Sequence, residues 1–249
     1  MAMWFILVII VAMPAFMAAA TERGSLPGIL GNDDRTPLDT EDWPWTAIGR
    51  VNRSVGGFCT GALIGPRHVL TAAHCLYDRR TGRRIRPSDI HFLPGYRRGA
   101  YLAHSAARDL IVPDEYRFDA ALRGDTPAVD WAILVLESPM PVRPLPIRAE
   151  SMPAGTPLIL AGYGQDRAHL LSIHDGCAAM PGLGRPGLIL HTCDATRGDS
   201  GSPLLMREAG GPVIVGVAVG VGKVAADMVG IAVPAVTFLD RTRAALAAR

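Results

Sequence analysis

Near the C-terminal end, Arg197 to Pro203 reads RGDSGSP. A serine hydroxyl attacks carbon only when a base stands beside it and donors stabilise the oxyanion that forms. The flanking glycines suit such donors. Gly198 can take a positive φ, which lets the N–H groups of Gly198 and Ser200 face one oxygen. Asp199 then holds the turn, and Pro203 starts the next strand. Gly, Asp and Ser also form polar turns with no chemistry attached, so the case for a nucleophile rests on its partners.

The chain has seven histidines. Only His74 sits in a cysteine-pinned setting, LTAAHC (Leu70 to Cys75), where an apolar strand delivers it and Cys75 can lock the backbone. A general base needs such fixed placement, because small displacements cost rate. For the carboxylate, VDWAILVLE puts Asp130 directly ahead of an apolar strand. An acid at that edge stays ionised when paired, and pairing is how a carboxylate orients a histidine base. Asp119 and Asp125 are nearby alternatives, but neither abuts so apolar a strand.

These groups must be carried by short strands. β-like runs separated by turn residues are expected at 46–52, 58–65, 68–73, 89–95 and 131–137. Residues 138–147, with four prolines, suit an extended linker. Further runs follow at 157–164, 187–194, 202–206, 212–220 and 228–233. The segment after Pro234 changes period and predicts a helix with Val236, Leu239, Arg243 and Leu246 on one face. Many short strands with Gly and Pro turns indicate an all-β fold, and the proline-rich seam divides it into two units.

The 249 residues are 49% hydrophobic and 19% charged, so a packed core is expected and disorder is not. A net charge of +2 gives no reason to expect nucleic acid. The densest basic stretch, DRRTGRRIR (Asp78 to Arg86), reads as a solvated surface loop. Residues 1–20 carry no charge, run apolar from Trp4 and end in Ala18-Ala19-Ala20, the pattern of a cleaved secretory signal. Residues 21–42 read as a pro-segment or extended arm. Export fits the four cysteines, Cys59, Cys75, Cys177 and Cys193, as two disulfides. Three pairings are open to them. Joining neighbours, Cys59–Cys75 and Cys177–Cys193, closes two short loops worth about 3 kcal/mol each in the chain-entropy model. No zinc spacing is present.

Together, LTAAHC, VDWAILVLE and GDSGSP resemble the three signature blocks of trypsin-like (chymotrypsin-fold) serine proteases, in that family's order. GNDDRTPLD, WPWTAIGRV and the Ser202 of GDSGSP resemble the bacterial V8-like glutamyl-endopeptidase subgroup. The resemblance implies two packed six-stranded antiparallel β-barrels, at 43–147 and 148–249, with a C-terminal helix. It implies His74 as general base, Asp130 as its orienter, Ser200 as nucleophile, and Gly198 and Ser200 as the oxyanion hole. The activity implied is hydrolysis of protein or peptide substrates through an acyl-enzyme, without a cofactor or metal. A monomer is expected, off the membrane once the signal is removed and with room for a protein inhibitor.

Asp194 falls where the family's basic-specific members carry a pocket acid, so a basic P1 side chain is expected ahead of a small apolar one. Val219 and Gly220 would form the pocket wall. Residues 215–222 contain no histidine of the kind the glutamyl subgroup uses to bind Glu. The resemblance also implies activation by cleavage before Ile29, the freed amine pairing with Asp199. Two other readings compete. A silent, protease-fold binding protein would normally lack a triad member. A serine esterase would carry a G-x-S-x-G elbow, which is absent here.

Overall fold

The computed structural model describes residues 26–119, 127–182, 187–224 and 227–248. The apolar leader expected at 1–20 lies outside the described residues. So does Asp125.

The first unit is a closed barrel of six strands: β2 (Ile48–Arg53), β3 (Phe58–Gly65), β4 (His68–Thr71), β5 (Ile90–Pro94), β6 (Ser105–Ile111) and β7 (Ala132–Leu136), in the order β2-β3-β4-β7-β6-β5. β3 is buried at all eight positions. This explains why FCTGALIG lacks the alternation of a strand with one wet face. Its inner side fills the barrel, and its outer side meets the second unit.

The second unit is a seven-stranded sheet, where a six-stranded barrel was expected. Its order is β1-β9-β8-β11-β12-β13-β10, from β1 (Thr36–Leu38), β8 (Pro157–Gly162), β9 (Leu171–Ala178), β10 (Ile189–His191), β11 (Pro203–Met206), β12 (Val213–Val224) and β13 (Asp227–Pro234). Six of these strands curl so that the end of β9 meets β10 at one bridge, Ala179 to His191. The Cys177–Cys193 disulfide staples that seam. The seventh strand, β1, comes from the N-terminal arm and pairs with β9, Thr36 opposite Ile173. The arm is therefore docked as an added edge strand.

β6 and β9 were not expected from the sequence. SAARDLI and LSIHDGCA place polar residues at exposed and even buried positions, which hides their period. The run expected at 46–52 begins with a 3-10 turn, Trp45–Ala47, and becomes strand only at Ile48. The proline-rich 138–147 is extended, as expected, and lies against the first barrel: Met140 N–H donates to the Pro66 carbonyl and Leu145 N–H to the Leu63 carbonyl.

The C-terminal helix, α1 (Ala235–Ala247), forms where expected but turns a different face inward. It buries Ala235, Phe238, Thr242 and Ala245, while Val236 is 67% exposed. Phe238, the largest apolar group on the helix, sets this rotation by packing against Trp131 with ring centroids 5.8 Å apart. The Thr242 hydroxyl is satisfied by the Phe238 carbonyl at 2.9 Å, so burying it leaves no unpaired polar atom.

Candidate active site

β4 and β7 pair antiparallel with Thr71 opposite Ala132. The residues that leave β4 and those that enter β7 must therefore meet. His74 lies in the 3-10 turn Ala73–Leu76 after β4, and Asp130 lies just before β7. The Cys59–Cys75 disulfide ties that turn to β3. The Asp130 carboxylate grips His74 at two points. Oδ1 accepts the His74 backbone N–H at 2.8 Å, and Oδ2 lies 2.7 Å from Nδ1. An ionised carboxylate only accepts, so the proton sits on Nδ1 and the Nε2 lone pair is left for another partner. Asp130 is only 5% exposed, which keeps water from competing for this contact.

Ser200 sits on the loop between β10 and β11. Gly198 has φ +103°, and a Cβ there would stand 2.4 Å from the Tyr163 carbonyl oxygen, so only glycine fits. The loop is held from the other barrel by Thr60, in the middle of β3. The Thr60 hydroxyl donates to the Gly198 carbonyl at 3.0 Å and accepts the Tyr163 N–H at 2.9 Å. Thr60 N–H donates to the Ser200 carbonyl at 2.9 Å. With both carbonyls drawn toward β3, the N–H groups of Gly198 and Ser200 donate to no other group among the described residues. Two such free donors on one turn are available to an anion.

Asp199 turns inward and is 4% exposed. Its carboxylate accepts Thr196 N–H at 2.7 Å, and Arg35 Nη1 lies 3.8 Å away. Burial pushes Asp199 up to about 6, against the pull of the Thr196 N–H and the Arg35 charge. Arg35 is itself 5% exposed and paired with Asp33 at 2.9 Å and Asp166 at 2.7 Å. In the intact chain, the cation facing Asp199 is thus a side chain of the arm. In this uncleaved chain the Ile29 backbone N–H, whose amine is expected at that carboxylate only after cleavage, donates to the Leu26 carbonyl.

A cleft of about 320 Å³ joins these parts. His74, Asp130 and Ser200 line it together with Ala195 and Ala218 to Val221, and Pro27 of the arm borders it. Val219 and Gly220, expected as the pocket wall, line this cleft. Asp194 does not. It is 1% exposed and points away from the cleft, accepting Leu30 N–H at 2.7 Å and Asp34 N–H at 2.9 Å. The docked arm captures this carboxylate, so the pocket has no acid at its base from Asp194.

Asp34, His174 and Asp194 also bring possible metal-ligand atoms within 4.8 Å of one another. The Asp194 oxygens already accept two backbone N–H groups, and His174 Nδ1 accepts the Asp194 N–H at 2.9 Å. The cluster is satisfied as a hydrogen-bonded anchor for the arm.

Comparison with known proteins decides the family. The profile described as trypsin-like peptidase domain matches residues 59–217. The chain belongs to the trypsin-like peptidase family. That stretch contains His74, Asp130 and Ser200. Within the family, the chain is similar to the glutamyl endopeptidase of Bacillus licheniformis, 44% identical over 59 residues, which cover 23% of this chain and 18% of that protein. It is also similar to serine protease 23 of Rattus norvegicus, 29% identical over 198 residues, which cover 72% of this chain and 51% of that one. The chain thus spans about half, or less, of the length of these two relatives. In fold it resembles a solved Glu endopeptidase in complex with MPD, with a TM-score of 0.74 at 22% identity, covering 88% of this chain and 99% of the other.

Three contributors to this trypsin-like site were missed from sequence. Arg35 looked like one more charge in a polar arm. Pro27 gave no signal. Thr60 had a faint one, as the polar side chain in a run of apolar residues.

Proposed function

We propose that this trypsin-like peptidase is an exported serine endopeptidase. Ser200 Oγ attacks the substrate carbonyl while His74 Nε2 takes its proton, and Asp130 holds the imidazole in tautomer and orientation and stabilises its cationic form. The N–H groups of Gly198 and Ser200 receive the oxyanion. His74 then protonates the leaving amine, and water hydrolyses the acyl-enzyme by the same steps in reverse order. The observation that carries this reading is the two-point grip of Asp130 on His74 in the cleft that Ser200 also lines.

Export is supported by the apolar segment at 1–20 and by two disulfides that close without a free cysteine among the described residues. For specificity, the withdrawal of Asp194 removes the basis for a basic P1 preference. Ala195, Ala218, Val219 and Val221 favour a small apolar P1 side chain instead.

The test is labelling of the purified chain with a fluorophosphonate probe, beside Ser200→Ala and His74→Ala, followed by a P1 peptide library. Label on the wild type, lost in both variants, is the expected result. Equal labelling of all three, or cleavage strongest after Lys and Arg, would overturn the mechanism or the pocket assignment respectively.

A further inference from the structure

The basic stretch after His74 is more than a solvated loop. Arg79 lines the cleft together with His74, Asp130 and Ser200. It also lines an adjoining groove of about 330 Å³, shared with Arg53, Val55, Gly56, Asp78 and Arg80. One guanidinium therefore belongs to both, and Arg79, five residues past His74, joins the groove to the cleft.

Three arginines share this groove with one acid, Asp78. Arg53 ends β2, is half-buried, and its Nε is buried without a hydrogen-bond partner. Burial and then the charge of Arg79 depress Arg53, with Asp78 pulling the other way, so the two cations still repel on balance. Among the described residues, neither Arg53 nor Arg79 has a carboxylate oxygen within 4.0 Å, whereas Arg86, in the same stretch, is paired with Asp89 at 2.8 Å. Asp78 is the groove's own acid, and it is occupied: Oδ1 accepts Arg80 N–H at 2.9 Å and Oδ2 the Thr81 hydroxyl at 3.1 Å.

The direction of the chemistry says which half of a substrate lies there. A general base returns its proton to the leaving amine, so the leaving half departs on the His74 side. The acyl half would then lie along Ala218 to Val221, which also line the cleft. We propose that Arg53 and Arg79 form a subsite for carboxylate side chains in the first few residues C-terminal to the scissile bond. This rests on the endopeptidase reading for its orientation. The planar, multiply donating guanidinium is suited to a carboxylate, and an incoming anion would relieve the Arg53–Arg79 repulsion.

Binding and cleavage test it separately. Fluorescent peptides, all C-terminally amidated and alike up to the scissile bond, would carry Asp and Glu or Asn and Gln after it. With the full chain carrying Ser200→Ala, anisotropy is expected to show the acidic peptide bound about five- to tenfold tighter, the advantage shrinking as salt rises. Adding Arg79→Ala, or Arg53→Gln, should bring the acidic-to-neutral ratio close to one. Adding Arg86→Ala, a charge-matched change outside the groove, should leave that ratio as it was. Equal affinity for the two peptides, a ratio insensitive to Arg53 and Arg79, or binding of neither peptide would overturn the subsite. Cleavage of the neutral peptide by the wild type reports on the endopeptidase reading alone. Its absence, with acid-selective binding retained, would remove the reaction and leave the subsite.

Discussion

Arg35 Nη1 stands 3.8 Å from Asp199 Oδ2, across the contact between the N-terminal arm and the nucleophile loop. Both side chains are almost wholly buried. The arm thereby supplies charge to the residue next to Ser200. Arg35→Met would take the buried guanidinium from Asp33 and Asp166, leaving them only Arg167, and make Asp199 more easily protonated, so we expect a loss of about 3 kcal/mol in urea unfolding. The fluorophosphonate labelling rate should also acquire a pH midpoint higher than that of the wild type. Arg35→Lys should restore part of both. An unchanged pH midpoint in Arg35→Met would mean that the pair serves stability only.

Two buried groups give the fold opposite pH dependences. Asp199 binds its proton more tightly when folded, at about 6, so its contribution is full below the ordinary carboxylate range and is lost as pH rises through about 6. His191, fully buried with Nε2 unpartnered, is held down to about 4 by burial first and the neighbouring His174 charge second. Its contribution is full above the ordinary histidine value and is lost as pH falls through about 4. Each amounts to at most about 3 kcal/mol. Relative to Asp199→Asn, the wild type should therefore lose stability between pH 4 and 6. Relative to His191→Gln, it should gain stability between pH 4 and 6.5. Denaturant titrations across that range check both slopes.

Gly198→Ala puts a methyl group 2.4 Å from the Tyr163 carbonyl oxygen in a backbone conformation with φ +103°. The loop must move, and an oxyanion donor moves with it. A fall of about 10²- to 10³-fold in kcat, with KM changed far less, is expected from steady-state kinetics on a peptide ester.

Thr60→Val keeps the shape of the side chain and deletes the hydroxyl that bridges the Gly198 carbonyl and the Tyr163 N–H. Two buried polar groups lose their partner, so a loss of about 2–4 kcal/mol is expected on thermal or urea unfolding. The labelling rate should fall at least about tenfold, because one oxyanion donor is no longer fixed. Thr60→Ser, which keeps the hydroxyl, should recover most of the rate.

Asp194→Asn tests the correction to the pocket. Its oxygens accept N–H groups of Leu30 and Asp34 on the arm. The substitution should destabilise the docked arm, read as faster proteolysis within residues 26–38, while the P1 profile of a peptide library keeps its shape. A P1 preference that shifts away from Lys and Arg in the variant would return Asp194 to the pocket.

Much of this protein is local. His74 beside a cysteine, Asp130 ahead of an apolar strand and Ser200 among glycines each declare themselves by immediate neighbours. β3, β7 and β13 declare themselves by β-branched and apolar runs whose burial needs no particular partner. The family match at residues 59–217 covers these same blocks. What tertiary structure alone decided are pairings between distant segments. Asp194 faces the arm because Leu30 and Asp34 bring N–H groups to it from 164 and 160 residues away. Arg35 reaches Asp199 because β1 pairs with β9. Thr60 reaches Gly198 because the first barrel packs against the second sheet. The helix turned Phe238 inward because Trp131 stood opposite. A residue's type sets what it can bond to and how much it gains by burial. Which carbonyl, carboxylate or ring it meets depends on where the rest of the chain comes to lie.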